Sequence, residues 1–251
     1  MTHPSHLPLF GHTRTHRGLN HAIITPDGFV PSFWPGANGA TVYFHITPAL
    51  GAGFVQFRAN WLEDGILPLP ANNGIQRFVF VVSGEVTLED RSSIPAGGYL
   101  YLSSDESETL KASQGTSITV FEKRYEPVLG VPAPGRVRGD VSEVAGQPFL
   151  GNPRALLKVL LPDTPSFDMA VNLFTYEPGA TLPFVETHIM EHGLLMVEGQ
   201  GIYRLEDSWY PTKAGDVIWM GPYCPQWFVA MGDKPASYLY YKNVNRHPVL
   251  P

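Results

Sequence analysis

The chain contains two copies of one pattern, and this duplication constrains its fold more than any other feature. PLPANNGIQRFVFVVSGEVTL, from Pro68, aligns with LPFVETHIMEHGLLMVEGQGIYRL, from Leu182, so that Gly84 pairs with Gly199 at an offset of 115 residues. PAGGYLYLSSDESETL, from Pro95, aligns with KAGDVIWMGPYCPQWF, from Lys213, pairing Gly97 with Gly215 at an offset of 118. The drift falls between RSSI and EDSWYPT, a turn region where insertions are tolerated. Two copies within 251 residues give two domains of ordinary size. The Pro- and Gly-rich stretch VLGVPAPGRVRGDVSEV is the natural linker. The expected layout is an N-terminal arm over 1–29, a first domain over 30–138 and a second over 139–251, with the boundary near Gly139.

Each copy is expected to be all-β. The 25 Gly and 24 Pro of the whole chain punctuate short runs rich in Val, Ile, Phe, Tyr and Thr, such as TVYFHITP, RFVFVVSGEVTL, GLLMVEGQGIYRL and SYLYYKNV. Short strands bounded by turn residues at this density build a sandwich or barrel. A helical apolar period is weak everywhere, NPRALLKVLL being the best candidate, so helices should be few and short.

Charge and cysteine content narrow the function. The net charge of −6 and the absence of a Lys/Arg cluster leave no footprint for a nucleic-acid backbone. A small anionic substrate remains compatible, because one or two local cations decide that. With Cys224 alone there is no intramolecular disulfide and no CxxC motif, and no run of 18 apolar residues points to a membrane; a cytoplasmic protein is expected.

The stretch ETHIMEHGLLMVEGQG carries the chemistry. Glu186 and His188 lie two apart, which on a strand puts them on one face, and a hairpin return can bring His192 onto it. A carboxylate with two imidazoles suits Mn²⁺, Fe²⁺ or Zn²⁺ and leaves coordination positions open, as a catalytic metal requires. Near the C-terminus, Tyr238 and Lys242 are four apart in an aromatic strand-like run and share a face. Lys242, flanked by YLYY and NVN, is costly to bury unless it meets an anion such as a substrate carboxylate. Tyr203 and Arg246 are weaker pocket candidates. Cys224 suits packing better than nucleophilic attack. The histidines at 3, 6, 12, 16 and 21 suit a tail or surface, and His247 is ambiguous.

These spacings resemble the cupin superfamily, whose fold is a double-stranded β-helix or jelly-roll barrel; the duplication then implies two tandem cupin barrels. Gly179, Glu186-x-His188, His192 and Gly199 follow the spacing of the first cupin motif. Gly215, Gly221, Tyr223 and Gln226 follow the second, with Gln226 where cupins usually carry histidine. That substitution, with the terminal YLYYKNVNRH, resembles the (S)-ureidoglycine aminohydrolase family of bicupins. The resemblance implies one Mn²⁺ held by Glu186, His188, His192 and Gln226, with substrate contacts at Tyr238 and Lys242 and at Glu186 and Gln226. It implies hydrolytic deamination of (S)-ureidoglycine to (S)-ureidoglycolate and ammonia in purine and allantoin degradation. Glu186 would then serve as ligand and proton acceptor, Lys242 would share the catalytic work, and Tyr203 would line the pocket.

Applied to the first copy, the repeat offsets put Ala71, Asn73, Arg77 and Glu108 at the four ligand positions. A fixed cation at Arg77 opposes a metal, so this copy is expected to be metal-free and structural or oligomerising, within a homo-oligomer. Two other readings stay open: a different metal-dependent bicupin, such as a dioxygenase or isomerase, and a non-catalytic cupin that binds a small ligand.

Overall fold

The structure, a computed structural model, describes residues 13–72 and 74–246. His3, His6, His12, Asn73 and His247 lie outside the described residues. The chain is all-β and forms two compact units. One comprises the chain up to Val30, Gln147–Leu157 and Leu173–Lys242; the other comprises Pro31–Gly146, Lys158–Asn172 and the chain from Asn243. Among the described residues no helix is long and apolar enough to cross a membrane.

Units of this composition differ from the contiguous domains expected. Gly139 lies inside strand Val137–Asp140, which pairs with Gly98–Leu102, so the expected linker contains a paired strand. NPRALLKV forms strand Asn152–Val159 and not a helix. Residues 16–24, expected in an arm, form strands His16–Arg17 and His21–Ile24, and the second pairs with Val217–Met220. His21 is accordingly buried, with Nε2 2.8 Å from Tyr210 Oη and Nδ1 2.8 Å from a Glu206 carboxylate oxygen.

In the unit that carries the metal-ligand candidates, strands Val217–Met220, His192–Glu198 and Ala236–Asn243 are consecutive neighbours in one sheet. A second sheet runs Ser208–Lys213, Gln200–Leu205, Gln226–Met231. Alternation sends Leu194, Met196, Ile218, Met220, Phe228, Tyr238 and Tyr240 into one core. His192 and Lys242 have the parity of these core residues and sit opposite each other where the two strands pair. The strand ends therefore deliver polar groups to the edge of an apolar interior. Gly199 turns one core strand into the next at φ +71°, where a Cβ would also overlap the Pro235 carbonyl.

The other unit is built around the long strand Val55–Leu69, which pairs with Ser117–Arg124 along one half and with Glu108–Ala112 along the other. Its core is Phe57, Ala59, Leu67, Leu69, Val79, Val81, Leu100, Leu110, Ile118 and Val120. Residues 158–172 are fixed to this unit by Asp168, fully buried, which accepts from Lys123 Nζ at 2.6 Å, from the Glu126 amide at 2.8 Å and from Gln76 Nε2. Truncating one partner of such a buried pair costs about 3–5 kcal/mol.

Candidate active site

A cavity of about 240 Å³ opens in the first of these units, lined on its polar side by Glu186, His188, His192, Gln226 and Lys242 and on its aromatic side by Tyr203, Tyr238 and Tyr240. All the site residues expected from the sequence line it except Arg246. The guanidinium of Arg246 is held in the other unit, donating to the carbonyls of Glu126, Pro165 and Asn245. Phe149, Phe174 and Met190 line the cavity as well, and nothing in their spacing singled them out.

Glu186 is not on a regular strand, as the two-residue alternation had suggested. It forms an isolated antiparallel bridge with Gln226, with reciprocal backbone bonds of 2.8 and 2.9 Å, and the chain then loops to His192 at the head of its strand. The loop carries His188 back toward His192, bringing their Nε2 atoms within 3.1 Å. Gln226 completes the group, its amide nitrogen 3.1 Å from His188 Nε2 and its Oε1 3.4 Å from Tyr203 Oη.

The tautomers follow from the outer contacts. His188 Nδ1 lies 3.0 Å from the Met190 carbonyl and His192 Nδ1 3.2 Å from the Tyr241 carbonyl. A carbonyl only accepts, so each Nδ1 carries the proton and each Nε2 presents a lone pair. Burial, then the neighbouring His188 and Lys242, pushes His192 down to about 3. Burial likewise lowers His188. Near neutral pH, two unprotonated nitrogens therefore face each other with no proton between them. Adjacent donors about a metal at ~2.1 Å stand about 3.0–3.4 Å apart, so this arrangement fits a shared cation. A 180° turn of the Gln226 amide puts its oxygen at the same point.

Among the described residues no three His, Cys, Asp or Glu side chains cluster tightly enough to hold a metal. The third member beside the histidines is an amide, while the Glu186 carboxylate lines the same cavity without joining them. Burial raises the Glu186 pKa, an effect that the Lys242 charge partly opposes. Glu186 is therefore a carboxylate inclined to hold a proton. Tyr238 Oη is 3.0 Å from Tyr176 Oη, and burial raises the phenols of Tyr176, Tyr203 and Tyr238, keeping them protonated as donors. Cys224 is buried in the core and its thiol is pushed up to about 11, which removes it as a nucleophile.

A barrel with two imidazoles and an amide at its open end, flanked by a carboxylate and a lysine, defines a cupin. Residues 172–241 match the Cupin domain model. The chain is 40% identical to (S)-ureidoglycine aminohydrolase of Arabidopsis thaliana, over 98% of this chain and 83% of that protein. It is 35% identical to the Escherichia coli enzyme of the same name, over 90% and 89% respectively. The crystal structure of protein Ylba from E. coli superposes with a TM-score of 0.84 and 32% identity, covering 98% of this chain and all of that one. The chain belongs to the (S)-ureidoglycine aminohydrolase family.

Proposed function

We propose that this chain hydrolyses (S)-ureidoglycine to (S)-ureidoglycolate and ammonia, with one divalent metal, Mn²⁺, held by His188, His192 and Gln226 and by Glu186 from the same cavity wall. The observation that carries this reading is the pair of facing Nε2 lone pairs beside an unpaired carboxylate and an unpaired lysine. The family relationship supplies the substrate. Bound there, the metal would act as a Lewis acid that binds and orients the substrate.

The protein groups supply the rest. Among the described residues Lys242 has no carboxylate partner, so it can receive the substrate carboxylate. Tyr238 and Tyr203, protonated, donate to the ureido and carboxylate oxygens. Holding three polar arms at fixed points admits one hand of the substrate. In the net reaction a water oxygen bonds to the central carbon, the bond from that carbon to the amine breaks, and one proton passes from water to the amine, which leaves as ammonia. Glu186, with its raised pKa, is suited to carry that proton from one to the other. On this reading the enzyme acts in the cytoplasm, in purine and allantoin degradation, as a homo-oligomer.

The test generates ureidoglycine in place from allantoate with an allantoate amidohydrolase, because the compound is unstable in water. Ammonia release above the uncatalysed rate, with (S)-ureidoglycolate as product, is the expected result. Racemic product at the uncatalysed rate with metal-loaded protein refutes the proposal.

A further inference from the structure

Gln226 and His188 are both fastened to the loop of residues 221–225. The Tyr223 amide donates to the His188 carbonyl at 2.7 Å, and the loop ends at the Gln226 and Glu186 bridge. Tyr223 makes its bond from a left-handed backbone, φ +61°, although its side chain is largely exposed. A non-glycine residue keeps that conformation where its surroundings impose it. The far end of the loop is held by a residue that neither copy of the repeat contains. Asn20, at the turn before strand His21–Ile24, accepts from the Gly221 amide through its backbone carbonyl at 2.9 Å and donates from its side-chain Nδ2 to the Pro222 carbonyl at 2.7 Å. Its Oδ1 lies so close to Gly221 that a Cβ there would overlap it. The strand that follows Asn20 is anchored residue by residue, His21 to Met220 and Ile24 to Val217.

We infer that Asn20 is a positioning residue for the metal site: it fixes loop 221–225 from the N-terminal strand and through it sets His188 and Gln226. The inference rests on the metal reading above and deepens it. Asn20 touches neither ligand; it acts through Gly221, Pro222 and Tyr223. Partners of metal ligands beyond the first contact commonly change affinity by about 10–100-fold when removed.

The experiment compares wild type, Asn20→Ala, Gly221→Ala and the double variant, all stripped of metal and titrated with Mn²⁺, with thermal melting of the metal-free proteins alongside. Asn20→Asp is the fallback that keeps size and loses the donor to Pro222. Mn²⁺ affinity should fall about tenfold in each single variant, while the metal-free melting temperature stays within about 2 °C of wild type. Because the Gly221→Ala methyl collides with the Asn20 side chain, the double variant should bind no more weakly than Gly221→Ala alone, a coupled response. Wild-type Mn²⁺ affinity in Asn20→Ala or Asn20→Asp, or effects that simply multiply in the double variant, overturns the inference with the metal reading intact. A wild-type protein that takes up no Mn²⁺ overturns both.

Discussion

The two barrels place opposite solutions at matching positions. In one, Arg77 pairs across strands with Glu122 and, on its other side, with Leu102; in the other, His192 pairs with Lys242 and Met220 in the same pattern. Arg77 is consumed by its neighbours: Nε lies 2.5 Å from Glu122 and Nη1 donates to the Pro70 carbonyl. Glu108, at the position of Gln226, accepts from the Glu89 amide at 2.8 Å and from Arg136 at 2.9 Å. At both of these positions the charged group is answered from within that barrel. In the other barrel two imidazole Nε2 atoms face each other, and among the described residues Glu186 and Lys242 form no ion pair, so these groups can answer a ligand. One backbone register thus supports either a closed electrostatic seal or an open site, depending on whether cation and anion meet across the strands.

The sharpest way to break this contrast is to remove a ligand. His192→Ala should reduce bound Mn²⁺ from about one equivalent to none and lower the deamination rate by roughly 10³-fold, since a Lewis acid supplies several kcal/mol; metal analysis and ammonia release read both. Arg77→Met should leave the metal in place and cost about 3 kcal/mol, because Glu122 stays largely buried and unpaired, and adding Glu122→Leu should recover most of the loss. Denaturant titration measures it, and an Arg77 variant that loses metal would end the assignment of roles. Lys242→Ala should raise KM by about 100-fold with metal content unchanged, as expected when the partner of a dry anion is truncated.

The last prediction concerns pH. His45, in the barrel that carries Arg77, is pushed down to about 3 by burial first and by Arg58 second. Its unfolded form takes a proton near pH 6.5 while the folded form resists, so the unfolded state binds more protons between those values. Stability should be full above about pH 6.5 and fall toward pH 3 by up to ~1.4 kcal/mol per pH unit. His45→Phe should flatten that dependence in pH-resolved melts; an unchanged slope would assign the effect elsewhere.

Local patterns showed most of the strands and the polar cavity residues, while nonlocal pairing and the apolar lining of Phe149, Phe174 and Met190 escaped them. Gly84 and Gly199 anchor the repeat, and both sit at positive φ, +74° and +71°. The structure brings His188 beside both His192 and Gln226; the histidine pair was legible from its spacing, and Gln226 only through the cupin resemblance. The repeat offset put Ala71 opposite Glu186, whereas the strand register puts Leu69 there: Leu69 faces Glu108 as Glu186 faces Gln226. A loop of different length between repeats shifts a sequence alignment but not a hydrogen-bond ladder. His21 passed for a tail residue because its burial comes from a partner strand far along the chain, which no local window contains.

That distant partner has a consequence for biosynthesis. Ile24 pairs with Val217, 193 residues later. At about 5–20 residues per second, the early strand waits roughly 10–40 s on the ribosome before its partner is made. Until then the segment from His21 to Ile24, apolar beyond its first residue, has only the two-residue strand His16–Arg17 to pair with, and loops of this span close slowly. The barrel that holds Glu186, His188, His192 and Gln226 is finished only after nearly the whole chain has emerged.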